Sequence, residues 1–131
     1  MNIHEFFNSL AENNSRNFKQ NQLKLHKDNE TLKAVIRVAL DPFTQFYIRK
    51  IPEYKNDGMS SGFISISTAL HSLTQLSSRR ITGNKAINFL QDLLSMMSPD
   101  DAKVIERIIG KDLKCGVSTS TVNKVWPELI P

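Results

Sequence analysis

Apolar residues in this chain of 131 residues recur three and four apart almost from end to end, and that spacing admits little but helices. Ile3, Phe6, Phe7 and Leu10 make one face of a short first helix. A second, polar helix is expected from Ser15 to His26 with Phe18 and Leu25 inward. A third follows a cap at Asp28 or Asn29 and carries Leu32, Val35, Ile36, Ala39 and Leu40 as its buried stripe. Pro42 ends it, because the residue before a proline is driven out of the helical region. Phe43, Phe46, Tyr47 and Ile48 predict a short aromatic turn or helix, and residues 53–62, rich in turn formers and without a period, a surface loop. Phe63 to Ser67 alternates as a strand would, yet no second strand is available to pair with it. A helix from about Ser65 to Ser78 is therefore predicted, burying Ile66, Ala69, Leu70, Leu73 and Leu76.

Three sharp helix starts follow. Thr82-Gly83-Asn84 opens a helix to about Met97 with Ile87, Leu90, Leu94 and Met97 on its inner face. Ser98-Pro99-Asp100-Asp101 combines a cap, a proline at the first helical position and acids in the first turn, and predicts a helix ending near Asp112. Gly116-Val117-Ser118 leads into a last short helix around Val122, Val125 and Trp126, closed by Pro127. The expected fold is all-α: a single compact domain, residues 1–131, of about seven to eight short helices around one core.

Composition removes several classes of function. The lone Cys115 excludes an internal disulfide framework and a cysteine-based zinc finger. No apolar run approaches the ~18 residues of a membrane span, and Met1-Asn2-Ile3-His4-Glu5 is no secretory leader, so no membrane partner and a cytoplasmic, monomeric protein are expected. Net charge is +4, unevenly spread: residues 14–55 hold nine Lys/Arg against four Asp/Glu, and residues 79–131 eight against six. A nucleic-acid partner is thereby permitted through phosphate neutralisation, but not required.

Candidate catalytic groups are few. Lys55-Asn56-Asp57-Gly58 fits the K-x-D-G pattern of covalent nucleotidyltransferases, in which a lysine amine attacks the α-phosphate of a nucleotide. That chemistry needs a strand-rich nucleotide pocket, whereas these residues fall in a loop between helices, so a surface turn is the expected reading. His4, His26 and His71 lie on separate helices without metal-ligand spacing, and Cys115 is expected beneath a turn as a small packed residue. No Gly-rich phosphate loop or Ser/His/Asp arrangement is present, so no metal or catalytic residue is assigned.

What remains is phosphate-binding geometry. A helix start exposes unpaired N–H groups at the positive end of its dipole, glycine permits close approach to the main chain, and hydroxyls add hydrogen bonds. Two starts fit this beside basic side chains: Arg79-Arg80-Ile81-Thr82-Gly83-Asn84-Lys85, and Lys111 to Thr119, with Lys124 further along the last helix.

At these same segments the sequence resembles a known family. The run Arg80 to Ile87, the run Arg107 to Ser118 and the closing run Val122 to Pro131, with its Trp126-Pro127 and Leu129-Ile130-Pro131, are similar to the N-terminal DNA-binding domain of ATP-dependent DNA ligases, in the form carried by T-even-type bacteriophages. Weaker similarity runs through Lys27 to Lys33 and Tyr47 to Lys50. The resemblance implies a helical domain that grips the minor groove of nicked double-stranded DNA by its sugar–phosphate backbone. It also implies an adenylation domain and an OB-fold domain after it, which with ATP and Mg2+ seal the nick through enzyme-AMP and DNA-AMP. Carried over residue by residue, DNA contacts are expected at Thr82, Gly83, Asn84 and Lys85 and at Gly116, Val117, Ser118 and Thr119; Arg80, Lys114 and Lys124 join them on electrostatic grounds. Because the sequence given stops at Pro131, where that family's adenylation domain would begin, no cofactor is expected in this piece and it should be inactive alone. The rival reading is a stand-alone helical regulator or protein-interaction module, in which Asn123 and Lys124 would be the base readers of a recognition helix.

Overall fold

A computed structural model of the protein describes residues 1–56, 58 and 61–131, and among them eight helices and no strand. They are α1 (Ile3–Ala11), α2 (Arg16–Leu25), α3 (Glu30–Leu40), α4 (Ile66–Ser72), α5 (Thr74–Ser77), α6 (Gly83–Ser95), α7 (Pro99–Ile109) and α8 (Thr119–Val125). The all-α expectation is met. α7 is the hub: Ala102, Val104, Ile105, Ile108 and Ile109 are buried on one broad face, and it packs on α1, α3, α4 and α6. α2 instead lies along α8 and touches α1. Phe7, Leu10, Leu32, Ile36, Leu90, Leu94 and Met97 are fully buried in one continuous core with α7's isoleucines, each such side chain contributing about 1.5–3 kcal/mol by leaving water.

Side-chain caps set most boundaries. Asn2, Ser15, Asn29, Ser65, Ser98 and Ser118 each accept the backbone N–H three residues on, opening α1, α2, α3, α4, α7 and α8. Asp41 is extended ahead of Pro42 and ends α3, as the proline requires. The helix expected over Ser65 to Ser78 is broken once, at Leu73, into α4 and α5.

Three expectations fail for local reasons, and the 43–48 segment takes the turn rather than the helix of the two forms expected. The 43–48 segment is not helical, because the Asp41 carboxylate takes the Phe43 N–H at 2.9 Å and the Thr44 hydroxyl at 3.0 Å, and closes a side-chain turn in place of a helical one. Those bonds, the Phe43 amide first, hold the Asp41 carboxyl below the ordinary carboxylate range. Leu25 is 74% exposed: the inner face of α2 is Lys19 and Leu23, one turn apart, with Phe18 only half-buried. Ile87 is exposed on α6. α7 ends at Ile109, not near Asp112, because Lys111 turns left-handed at φ 59° and the Asp112 amide returns to the Arg107 carbonyl at 3.0 Å.

Candidate nucleic-acid interface

The helix end at Lys111 has a counterpart. Arg79, just after α5, is also left-handed at φ 60°. Glycine is the usual residue in both places, and a side chain there costs about 1–2 kcal/mol. Both residues are cationic, and both lay their charge over adjacent aromatics: the Arg79 guanidinium stands 4.3 Å from the Tyr47 ring centre, and Lys111 Nζ 5.7 Å from that of Phe46. Phe46 is buried and Tyr47 exposed, itself left-handed at φ 61°. The turn leading into α6 and the turn leaving α7 are thus pinned to the same two consecutive residues. Strained backbone persists only where surroundings over-determine it, and it gathers at functional sites.

The first predicted junction stands open. Arg80, Thr82, Gly83, Asn84 and Lys85 are all exposed. Gly83 is left-handed at φ 61°, and a Cβ added there would meet nothing within 4 Å. Thr82 occupies the cap position but makes no side-chain bond to the helix, so the first amides of α6 have no internal acceptor. That sets α6, of 13 residues, apart from the six helices closed by a side chain.

The second junction is more occupied. Gly116, Ser118 and Thr119 are exposed and Val117 is half-buried against the core. Ser118 Oγ accepts the Thr121 amide at 3.2 Å and shares hydrogen bonds with the Ser120 and Thr121 hydroxyls. Gly116 is left-handed at φ 69°, and above it lies Lys19 of α2, whose Nζ donates to the Gly116 carbonyl at 3.3 Å. Lys114 is exposed and left-handed at φ 55°, its amide bonded to the Asp112 carboxylate at 2.9 Å. Lys124 lies in the last turn of α8, at the other end of that helix from Ser118.

Neighbouring polar groups hold the turns from below. Lys111 Nζ donates to the Val38 and Asp41 carbonyls at 2.6 and 2.8 Å and so closes the C-terminus of α3. Burial lowers its pKa, and Asp41 partly restores it. Arg107 donates to the Leu113 carbonyl at 3.3 Å and to Asn8 of α1 at 2.8 Å. Cys115 is buried as expected, and desolvation pushes its thiol above the ordinary value. Among the described residues the one contact within 4 Å between a basic and an acidic side chain is His4 with Asp100, at 3.4 Å. Among the described residues, the cations at both junctions therefore face no carboxylate at that range.

Two other candidates look different in three dimensions. Asn123 is spent within the fold, its amide donating to the Ile130 carbonyl at 3.1 Å and accepting the Ile130 N–H at 2.9 Å, while Trp126 is buried with its indole N–H on the Lys27 carbonyl at 3.1 Å. A recognition helix at α8 would have only Lys124 of its two expected base readers. Asp57 of the K-x-D-G pattern lies outside the described residues; Lys55 is exposed at the lip of an open hollow beside Tyr54, Gln91 and Glu106. No group of three or more possible metal ligands occurs among the described residues, and no helix is long and apolar enough to cross a membrane.

The profile of the family described as DNA ligase N terminus matches residues 3–127. The chain belongs to that family. DNA ligases of Enterobacteria phages T4 and T6 are each 38% identical to it over 130 residues, which is 98% of this chain and 27% of theirs. The chain thus spans about a quarter of the length of these relatives. Two solved structures have the same fold. Pmar-Lig_PreS3 superposes with a TM-score of 0.81 at 27% identity, over all of this chain and 32% of that one. Pmar-Lig_Pre. superposes with 0.82 at 25% identity, over 95% and 29%. In this ligase N-terminal domain, nothing in the sequence signals the buried Lys19 beside Gly116 or the left-handed backbone at Arg79 and Tyr47. The first is hidden in an otherwise polar helix, and the other two are known only through left-handed backbone that no glycine announces.

Proposed function

We propose that the domain holds double-stranded, nicked DNA by its sugar–phosphate backbone, from the minor-groove side and without reading sequence, as the N-terminal part of an ATP-dependent ligase. The observation that carries this reading is the open start of α6, Thr82 to Lys85, with unpaired amides, unpaired cations and free space above Gly83. A phosphate oxygen supplies the acceptor those amides lack, and contacts to phosphate position a protein without specifying a base. The family membership supplies the kind of substrate. On this reading ATP and Mg2+ serve the adenylation and OB-fold domains, which transfer AMP to the 5′-phosphate before the 3′-hydroxyl closes the nick. Lys55 then takes no nucleotide, and this 131-residue chain transfers no label from ATP.

Fluorescence anisotropy with unrelated duplexes over a range of salt is the direct test. If about four phosphates are neutralised, log K should fall with log salt at a slope near −0.9 times that number, equally for every sequence. Affinity indifferent to salt, or strong preference for one sequence, refutes the proposal.

A further inference from the structure

Between the beginnings of α2 and α8 lies a hollow of about 180 Å³, lined by Asn14, Arg16, Lys19, Gly116, Ser118 and Thr121. Lys19 is the unusual member. Only 7% of the residue is exposed, and lysine is almost never buried to that degree without a counter-charge. Among the described residues it has none: the single acceptor it reaches there is the neutral Gly116 carbonyl, for an ammonium with three donors. No carboxylate among the described residues comes within 4 Å of it. Gly116 is what lets the ammonium sit over the turn, since a Cβ there would stand 2.5 Å from Lys19 Nζ. Arg16 adds a second cation in the first turn of α2, the end of a helix where positive charge is disfavoured and where this one carries no acid.

We infer that this hollow is a phosphate pocket: Lys19 and Arg16, with the hydroxyls at Ser118 and Thr121, grip one phosphodiester group, whose charge is the counter-ion that Lys19 lacks. The inference rests on the DNA-binding reading and adds a contact from α2, a helix outside both predicted junctions. Lys19 is the anchor, because its stem is fixed in the protein before the ligand arrives. Its grip requires little reordering, unlike that of an exposed lysine.

Lys19→Met keeps the stem and removes the charge; Arg16→Gln alters an exposed position and leaves the core alone. The wild type and both variants, each checked by circular dichroism, are titrated with duplex DNA at several salt concentrations, and with inorganic phosphate while the backbone amides of residues 116–118 are followed by NMR. The expected result for Lys19→Met is duplex affinity lower by about tenfold or more, a salt slope shallower by about 0.9, and loss of the amide shifts that phosphate causes in the wild type. Should Lys19→Met fold poorly, Arg16→Gln decides, with a shallower slope at unchanged thermal stability. Wild-type binding to duplex with both variants unaltered in affinity and slope overturns the pocket and leaves the DNA reading standing. Phosphate-dependent shifts in a wild type that ignores duplex overturn the DNA reading and keep the pocket as a site for another phosphoester. Neither response overturns both.

Discussion

Gly83 and Gly116 share a left-handed backbone, at φ 61° and 69°, yet an added methyl group meets open space at the first and the Lys19 ammonium at the second. Alanine substitution should therefore separate a ligand's requirement from the fold's. At Gly83 the only internal penalty is the backbone one, about 1–2 kcal/mol, partly offset by about 0.4–1 kcal/mol from a stiffer unfolded chain. A net loss of about 1 kcal/mol lowers Tm by about 3–5 °C in a domain of this size. At Gly116 the lysine must also move off its carbonyl, which removes a charged hydrogen bond worth about 1.5–3 kcal/mol and more than doubles the loss of Tm. DNA affinity should follow a different order: it falls at Gly83 despite the small loss of Tm, and it falls at Gly116 as well, because the displaced Lys19 is itself a proposed phosphate ligand. Gly83→Ala places a methyl group where the phosphate is proposed to approach, and losing one charge-assisted contact weakens Kd about tenfold, far more than the slight unfolding at 25 °C explains. Gly110→Ala is the control: that glycine is right-handed, with its nearest neighbour 3.6 Å from the added carbon, so Tm and Kd should both hold. Calorimetry and anisotropy on the three variants give both orders. A Gly83→Ala protein with lowered Tm and wild-type Kd would refute the argument, leaving the start of α6 as an ordinary helix end.

Lys111→Met removes the donor that closes α3 and leaves the Val38 and Asp41 carbonyls without it. About 2–4 kcal/mol of stability should go while the DNA salt slope stays put, because this ammonium is already engaged; a Tm within 2 °C of wild type (roughly half a kcal/mol) would contradict this. The Tyr54 hydroxyl is bonded to the Glu106 carboxylate at 2.5 Å, and burial first, then that bond, raise its pKa well above the ordinary value of 10.0. A raised pKa means the stabilisation is complete below pH 10 and lost as pH climbs toward the folded-state value. Denaturant melts above pH 10 should therefore show wild type losing stability faster than Tyr54→Phe, and parallel losses would remove the assignment. The Cys115 thiol, buried and pushed up by desolvation, should react with a disulfide reagent at pH 8 only in step with unfolding; prompt reaction in the native protein would show the turn above it to be open.

The parts of this architecture written in local chemistry could be read directly. Ser98-Pro99-Asp100 opens α7 where the cap, proline and acids place it, and Ser15, Asn29, Ser65 and Ser118 do the same for their helices. Thr82 to Lys85 and the Gly116 turn were legible as exposed helix starts because glycine, serine and threonine favour such positions, where they serve equally as ordinary caps. Left-handed turns built on arginine, lysine and tyrosine were not, since nothing local distinguishes Arg79, Lys111 or Tyr47 from helical or extended residues; only aromatic rings and carbonyls distant in sequence make those conformations tolerable. Lys19 was hidden for a related reason. Periodicity put Phe18 and Leu25 inward, whereas the partner of α2 is α8, whose glycine turn receives a lysine rather than a leucine.

The missing fastening at the head of α6 links order and affinity. With no side-chain oxygen on its leading amides, that turn depends on water in the free protein and is the cheapest part of a 13-residue helix to unravel. An anion that seats there stitches the strands of backbone together as it binds, so tightness of grip and stiffness of the helix mouth rise as one quantity. Supplying an internal acceptor, as Thr82→Asp would, should harden the domain and exclude the proposed anion in the same stroke: a sturdier protein, and a poorer clasp.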